Sequence, residues 1–358
     1  MAARSKPNLT NADLAELLAR EAEKREGILI RAFRRAARSA FLWPELAAEV
    51  AASGRSLTEL HSVGPFIAKQ IQAWLEKPPP LSRNVPPLRR DFLTLADAKK
   101  LLAARPEWQR RLRGDLQMHT QWSDGSGSVL EMGEAASARA YEYIAITDHS
   151  KGLKIAGGIN ESQLRQQGRE IAKANRLLAR AGAKTTLLTS LEMNLNPRGE
   201  GDMNPAALAR LDLVLGSFHS ALRKKEDQTA RYLAALRNPD IQVLGHPRGR
   251  IYNYRLGLKA DWNRGFAEAA KLDKAVEIDS YPDRQDLNLT LLKIARKEGV
   301  RISLGTDAHH PWQLEFIELG LAAALKAGIP AERVVNFLQL PKLKDWVARV
   351  RARASGRR

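Results

Sequence analysis

Histidine, aspartate and glutamate recur in this chain at one kind of place, the end of a short apolar run. His119 closes DLQMH, with Asp124 five residues on, and Asp148 and His149 close YIAITDH. Glu192 sits in TLLTSLEMN, His219 closes LDLVLGSFH and His246 closes QVLGH. Glu277 and Asp279 close AVEID, and Asp307 and His309 close RISLGTDAH. Five of the seven histidines are placed this way. A lone histidine at a strand end is more often a hydrogen-bonded structural group, and an aspartate there is often a helix N-cap. That explanation must be repeated independently at every run. Imidazole and carboxylate without thiolate suit Zn, Mn or Fe, and a bridging carboxylate among imidazoles can hold ions about 3.5–4 Å apart. The expected cofactor is two or three divalent ions, Mn or Zn, with Fe as a further candidate.

These residues need a scaffold that makes them converge. From Leu116 onward the apolar runs alternate with amphipathic helical stretches, which implies a parallel sheet or barrel. About seven such units are present, close to the eight of the common α/β barrel, whose C-terminal strand ends share one face. Upstream, residues 8 to 75 read as helices. Asn11 is the expected N-cap of ADLAELLAREAEKR. RAFRRAARSAFL, a helix near Pro44 to Ala52, and two short helices joined by HSVGPF within Leu57–Leu75 follow. EKPPPLSRNVPPLRR then forms a stiff, extended linker. The expected organisation is a helical domain over 8–77, a Pro-rich linker and helix over 78–112, the strand–helix domain over 113–348 and a frayed basic tail over 349–358.

The chain has 358 residues, 44% of them hydrophobic, no cysteine and a net charge of +18. Disulfides, thiolate metal sites and cysteine nucleophiles are excluded. No apolar run reaches the length of a membrane span, and the N-terminus lacks the apolar stretch of a signal peptide. A soluble, cytoplasmic protein without a membrane partner is expected. The first 114 residues hold 21 Lys+Arg against 12 Asp+Glu and the remainder 37 against 28, so the helical part is the more densely basic. Such a balance suits a polyanionic partner.

In order, DLQMHTQWSDG, ITDHS, LEMN, SFHS, GHPRGR, EIDSYPDR and SLGTDAH resemble the motifs of the PHP (polymerase and histidinol phosphatase) family, most closely as found in bacterial family X DNA polymerases. The likeness runs from about Arg113 to Val347. It implies a distorted seven-stranded (β/α) barrel binding up to three metals. It also implies a ligand set of His119, Asp124, His149, Glu192, His219, His246, Asp307 and His309, with Glu192 as the bridge and His119, Glu192 and Asp307 central to catalysis. The family's usual His-x-His reads Gln117-Met118-His119 here, so Gln117 enters as a neutral, weaker ligand. The implied chemistry is hydrolysis of a phosphate ester by in-line attack of water. Arg248, Arg250 and Arg284 are the expected phosphate clamps, and Asp148 is expected to orient a ligand rather than bind metal.

LTELHSVGPFIAKQIQAWL resembles a helix-hairpin-helix motif, and residues 8 to 75 resemble the whole small N-terminal domain of a family X polymerase. The resemblance implies sequence-independent DNA binding through hairpin N–H groups at Ser62 and Gly64, with Lys69, Arg31, Arg34, Arg35 and Arg38 adding phosphate contacts. Ser62 replaces a usual glycine. Gln70 replaces the lysine of Schiff-base lyase chemistry, which excludes that route. Between Leu75 and Leu116 there is no room for a nucleotidyl-transfer palm. The expected function is a phosphoesterase acting on DNA ends in repair, either a 3′–5′ exonuclease or a 3′-phosphatase. The alternatives are a small-molecule phosphatase of histidinol-phosphatase type and a non-enzymatic DNA-binding module.

Overall fold

The computed structural model describes residues 9–81 and 84–355. The N-terminal layer contains α1 (Asn11–Ala22), α2 (Gly27–Ser39), α3 (Ala47–Ala52) and α4 (Pro65–Glu76), with a 3₁₀ turn at Leu57–Glu59. The N-cap of α1 is Thr10, not the expected Asn11: the Thr10 and Asp13 side chains form a reciprocal capping box. The Asn11 amide instead donates to Glu45 O (2.8 Å), and its oxygen accepts from Ala47 N (3.0 Å), fastening the start of α3. Leu14, Leu18, Phe33, Trp43, Ile67 and Ile71 fill the core of this layer. One member of the core comes from far along the chain, Tyr252, 3% exposed.

The Pro-rich connection is laid along the second layer rather than held free. Leu88 O accepts from Asn253 N (2.9 Å), and Leu93 exchanges bonds of 2.7 Å in each direction with the Gln285 amide. Arg89, buried at 9% exposure, binds Glu16 (2.8 Å), Glu23 (2.6 Å) and Asn253 (3.2 Å). The helices α5 (Leu95–Ala103) and α6 (Pro106–Arg111) complete the connection.

The strand–helix part follows as β1 (Gly114–Asp115), α7 (Val129–Ala138), β2 (Tyr143–Ile146), α8 (Glu161–Arg180), β3 (Thr186–Thr189), β4 (Glu192–Asn194), α9 (Pro205–Leu208) and β5 (Leu215–Ser217). It continues with α10 (Thr229–Arg237), β6 (Val243–Leu244), α11 (Trp262–Lys271), β7 (Ala275–Asp279), α12 (Leu289–Glu298), β8 (Arg301–Gly305), α13 (Ile317–Ala327) and α14 (Leu340–Ser355). All pairings between named strands are parallel, in two sheets ordered β1-β2-β3 and β4-β5-β6-β7-β8. Where seven strands were expected there are eight short segments among the described residues, because the run TLLTSLEMN is cut at Ser190 and Leu191 into β3 and β4. The sheets meet at both edges. Glu192 bridges to His149, Met118 bridges to Ala308, and Leu116 N donates to Leu304 O (3.3 Å).

The first residues of the strands, among them Tyr143, Leu215, Val243 and Ala275, pack on Leu343, Trp346, Val347 and Val350 of α14. That helix therefore plugs the N-terminal end of the sheets. It runs through most of the basic tail expected to fray; residues 356–358 lie outside the described ones. No helix among the described residues is long and apolar enough to cross a membrane.

Arg89 holds two carboxylates of α1 and its flank against the linker and the Tyr252 turn. Replacing it by Met should leave Glu16 buried and unpaired, at a cost of about 3 kcal/mol. The check is a lower urea midpoint for Arg89→Met than for the wild type, with little change when the exposed Arg110 is replaced instead.

Candidate metal centre

The open, C-terminal ends of the strands carry the chemistry. Glu192, fully buried, opens β4 and stands at the centre of four imidazoles. Its carboxylate oxygens lie 2.7 Å from His246 Nε2, 3.0 Å from His149 Nδ1, 3.2 Å from His219 Nε2 and 3.5 Å from His119 Nε2. A second cluster joins it through His119 and His149. Asp124 Oδ1 lies 3.4 Å from His309 Nε2, 3.6 Å from His149 Nε2 and 4.0 Å from His119 Nδ1. Asp307 Oδ1 lies 2.9 Å from His119 Nε2. His119, Asp124, His149 and His309 form one group whose ligand atoms lie within 4.8 Å of one another, and His149, Glu192 and His219 form another.

The donor atoms fit divalent cations. His119 Nδ1, His149 Nδ1, Glu192 Oε2, His219 Nε2 and Asp307 Oδ2 are all buried and make no well-aligned hydrogen bond, their contacts being ion pairs among themselves and with Arg284 and Asp124, so their bonding capacity is left incompletely used. Burial opposes charge on every one of these groups. Even so, the facing carboxylates push His246 up to about 10 and His309 up to about 9, and the imidazoles hold Asp124 down to about 2 and Glu192 well below the usual carboxylate range. The carboxylates thus demand positive charge, and a bound ion would meet that demand by displacing protons.

The surrounding side chains set each ligand's direction. His219 Nδ1 faces Asn194 Oδ1 (3.1 Å) and His309 Nδ1 faces the Asp307 carbonyl (2.7 Å), which turns each Nε2 inward. Asp148 accepts from Thr120 N (2.8 Å), Thr120 Oγ1 (2.7 Å), Ser123 Oγ (2.5 Å) and Gln167 Nε2 (2.6 Å). Its carboxylate is thereby spent on holding the loop that carries Asp124. Asp307 itself adopts a left-handed backbone, φ 53°, uncommon for a residue other than glycine. Asn194, Thr120, Ser123 and Gln167 were missed by sequence reasoning. Asn194 ends the LEMN motif and was within reach, whereas the other three are ordinary polar residues whose role appears only in three dimensions.

Three expected residues sit elsewhere. The Gln117 amide faces the buried Glu277 carboxylate, 2.7 Å from Oε2 with its nitrogen turned that way, and Glu277 also accepts from His246 N (2.8 Å). Gly305 allows this packing, since a Cβ there would collide with both side chains. Gln117 is therefore engaged with a carboxylate instead of pointing as a ligand into the cage. Arg250 is 4% exposed, stacks 3.8 Å over the Phe92 ring and donates to the carbonyls of Arg284, Gln285, Arg90 and Asp91. Its role is to lock the linker to the loops after β6 and β7, not to clamp phosphate. Arg248 donates to Leu256 O (2.8 Å) and faces the linker side with Arg250 and Asn288. Arg284 does reach the cage, with Nη1 3.3 Å from Asp307 Oδ2, and it stays one-third exposed.

In the helical layer, Ser62 takes φ 61° at the hairpin, the conformation that favours glycine, and Gly64 caps α4. Trp43 Nε1 donates to His61 O (3.0 Å), pinning the turn ahead of α4 to the core of the layer. The His61 ring lies 6.4 Å from that of Trp312, just beyond His309 and His310. Lys69, Arg31, Arg34, Arg35 and Arg38 are exposed. Of these, Arg34 and Arg38 line a cavity shared with Arg284 and His309; Arg31, Arg35 and Lys69 do not.

Fold and cage together define a parallel α/β fold with a candidate divalent-metal site where its strands converge. No family model matches the chain. It is 34% identical over 240 residues, 67% of its length, to the "DNA polymerase/3′-5′ exonuclease PolX" of Bacillus subtilis, of which it spans 41%. It is 28% identical over 233 residues to a probable phosphatase of Photobacterium profundum, covering 62% of this chain and 88% of that one. It is 27% identical over 249 residues to one from Acetivibrio thermocellus, covering 67% and 96%. Among solved structures, the histidinol phosphate phosphatase of Lactococcus lactis, complexed with Zn, L-histidinol and phosphate, overlaps 61% of this chain and 94% of its own, at 19% identity and a TM-score of 0.43. The chain belongs to the PHP family.

Two measurements test the cage. Titration of metal-free protein with Mn²⁺ in buffers of different ionisation enthalpy should show release of at least one proton per chain near pH 7, with affinity rising between pH 6 and pH 8; binding without proton release would contradict the cage. Asp148→Asn should weaken metal binding by about 10- to 100-fold while far-UV circular dichroism stays unchanged.

Proposed function

We propose that the protein is a metal-dependent phosphoesterase that acts on DNA ends in repair, as a 3′–5′ exonuclease or a 3′-phosphatase, using two or three divalent ions, Mn or Zn. The observation that carries this reading is the cage around Glu192 and Asp124, in which buried imidazoles and carboxylates crowd together without well-aligned hydrogen bonds and at whose mouth Arg284 stands. His119, Asp124, His149, Glu192, His219, His246, Asp307 and His309 would hold the ions, with Glu192 between them. When bound, such ions supply Lewis acidity toward the phosphoryl oxygens and the attacking water.

The chain's own residues do the rest. Arg284 is raised above its ordinary value because Asp307, Asp279 and Asp283 outweigh its burial, so it remains a permanent cation for a phosphoryl oxygen. Asp307 keeps that guanidinium aimed at the mouth. Asp148, Asn194 and the Asp307 carbonyl hold the ligand side chains, so the site is organised before substrate arrives. DNA enters the reading through the basic helical layer, whose α2 arginines share a cavity with the cage, and through the similarity to a DNA polymerase/3′-5′ exonuclease.

The phosphatase relatives, matched over most of their own lengths, favour a second reading, a small-molecule phosphatase of histidinol-phosphatase type. A non-enzymatic DNA-binding module has no use for a cage of buried imidazoles and carboxylates.

Mn²⁺-loaded protein should shorten 5′-labelled oligonucleotides ending in 3′-OH stepwise, or remove only a terminal 3′-phosphate. His246→Ala should lower either rate at least 100-fold together with metal content. Turnover of histidinol phosphate far above any oligonucleotide would establish the second reading instead, and activity persisting in His246→Ala would remove the cage from the chemistry.

A further inference from the structure

A cavity of about 720 Å³ lies between α2 and the mouth of the barrel. On the barrel side it is lined by His309 and Arg284, each already in contact with a cage carboxylate. On the helical side it is lined by Arg34 and Arg38, four residues apart and so on one helix face. Arg38 lies 3.8 Å from Asp283 and Glu23 is held by Arg89 (2.6 Å), so both carboxylates lining the cavity are matched. Arg34 has no ion-pair partner among the described residues. A third wall is the turn at 251–255, closed by Ile251 N→Arg255 O (2.8 Å) and Arg255 N→Ile251 O (2.9 Å). That turn carries Tyr254, 61% exposed and with the Arg223 guanidinium 4.8 Å from its ring centroid on one side, while its neighbour Tyr252 anchors the turn in the core of the helical layer.

We propose that this cavity is the subsite for a single-stranded nucleic-acid terminus, with Tyr254 stacking on a base beside the scissile phosphodiester and Arg34 and Arg38 holding the next backbone phosphate. The inference rests on the phosphoesterase reading above and adds the form of the substrate and the residues that select it. An exposed aromatic ring beside unmatched guanidinium is the combination by which proteins hold single strands without reading sequence, since every base offers a π-face and every nucleotide a phosphate. The cavity has the size of a small-ligand pocket, which suits an unpaired end and not a duplex. A small phosphomonoester would occupy the cage and Arg284 without touching α2 or Tyr254. The helical layer is thus part of the substrate site, positioned there by Arg89, Arg250 and Tyr252.

The test is steady-state kinetics of the full-length Mn²⁺-loaded protein on a 5′-labelled oligothymidylate and, in parallel, on bis(p-nitrophenyl) phosphate. Tyr254→Ala should raise the oligonucleotide KM about tenfold with kcat changed much less, and Tyr254→Phe should recover most of that loss. Arg34→Ala/Arg38→Ala should raise KM at least tenfold and flatten the salt dependence of kcat/KM. In both cases the ratio of oligonucleotide to small-ester specificity should fall. Lys342→Ala/Arg349→Ala, which removes two charges from α14 at the opposite end of the barrel, should leave KM unchanged. Wild-type KM in both the Tyr254→Ala and the double-arginine proteins would overturn the subsite while leaving the DNA-end reading standing. An equal KM rise in the α14 variant would overturn it in favour of net charge. Hydrolysis of the small ester alone by the wild type would overturn the DNA-end reading and the subsite with it.

Discussion

A carboxylate with no exposure to water sits where the barrel strands converge, and the rest of the site is arranged around it. Glu192 is surrounded by His119, His149, His219 and His246. Burying an ion in protein is costly unless it is paired, so this position is tolerable only with positive charge close by. The four imidazoles come from the ends of four different runs, and only a sheet that curves back on itself delivers them to one point. The closing contacts of Met118 with Ala308 and Leu116 with Leu304 therefore matter to the chemistry as much as to the fold. The break at Ser190 and Leu191 places Glu192 level with His149 across the junction of the two sheets.

Around that carboxylate, polar side chains divide into those that face the cage and those that fix the backbone behind it. Glu277 illustrates the second kind. It is a fully buried strand carboxylate like Glu192, but it accepts from His246 N and contacts the Gln117 amide. Burial pushes it well above the usual carboxylate range, whereas the imidazoles hold Glu192 far below it. Two buried glutamates thus do opposite work, and the difference is how many imidazoles surround each. Asp124 faces the imidazoles, whereas Asp148 accepts from Thr120, Ser123 and Gln167.

Much of this was legible in the sequence because it follows from periodicity. The strand–helix alternation placed His119, His149, His219, His246, Asp307 and His309 just beyond strands, and parallel strands bring their ends to one face whatever the intervening helices contain; Glu192, expected at a strand end, instead opens β4 after the break at Ser190 and Leu191. What periodicity cannot give is the direction of a side chain in a loop. Arg248, Arg250 and Arg284 look alike as charged residues following strands, yet Arg250 turns onto Phe92 and four carbonyls while Arg284 turns onto Asp307. The decision is made by the linker, some 160 residues upstream of Arg250, which supplies Phe92 and the carbonyls of Arg90 and Asp91. Asn11 shows the same limit on a small scale. Its type suits a cap, but its amide finds better partners in the backbone ahead of α3.

The linker also settles how the helical layer can take part in chemistry. Five prolines read as a spacer, and a spacer would leave the small layer free to search for its own ligand at a high effective concentration. Instead the segment is tied down by Arg89, by the Leu93–Gln285 pair and by Arg250, and Tyr252 completes a hydrophobic core that spans both layers. Each tie draws on a residue whose alternative state is a buried unpaired polar group or an exposed ring. The relative position of α2 and the cage is consequently part of the folded state and is not reached on binding. A ligand spanning the two then loses only its own freedom, which is the advantage of a preorganised site. The turn that carries Tyr252 into the helical core also carries Tyr254 into the cavity, so one five-residue element fixes the layer and furnishes the wall beside the metal cage.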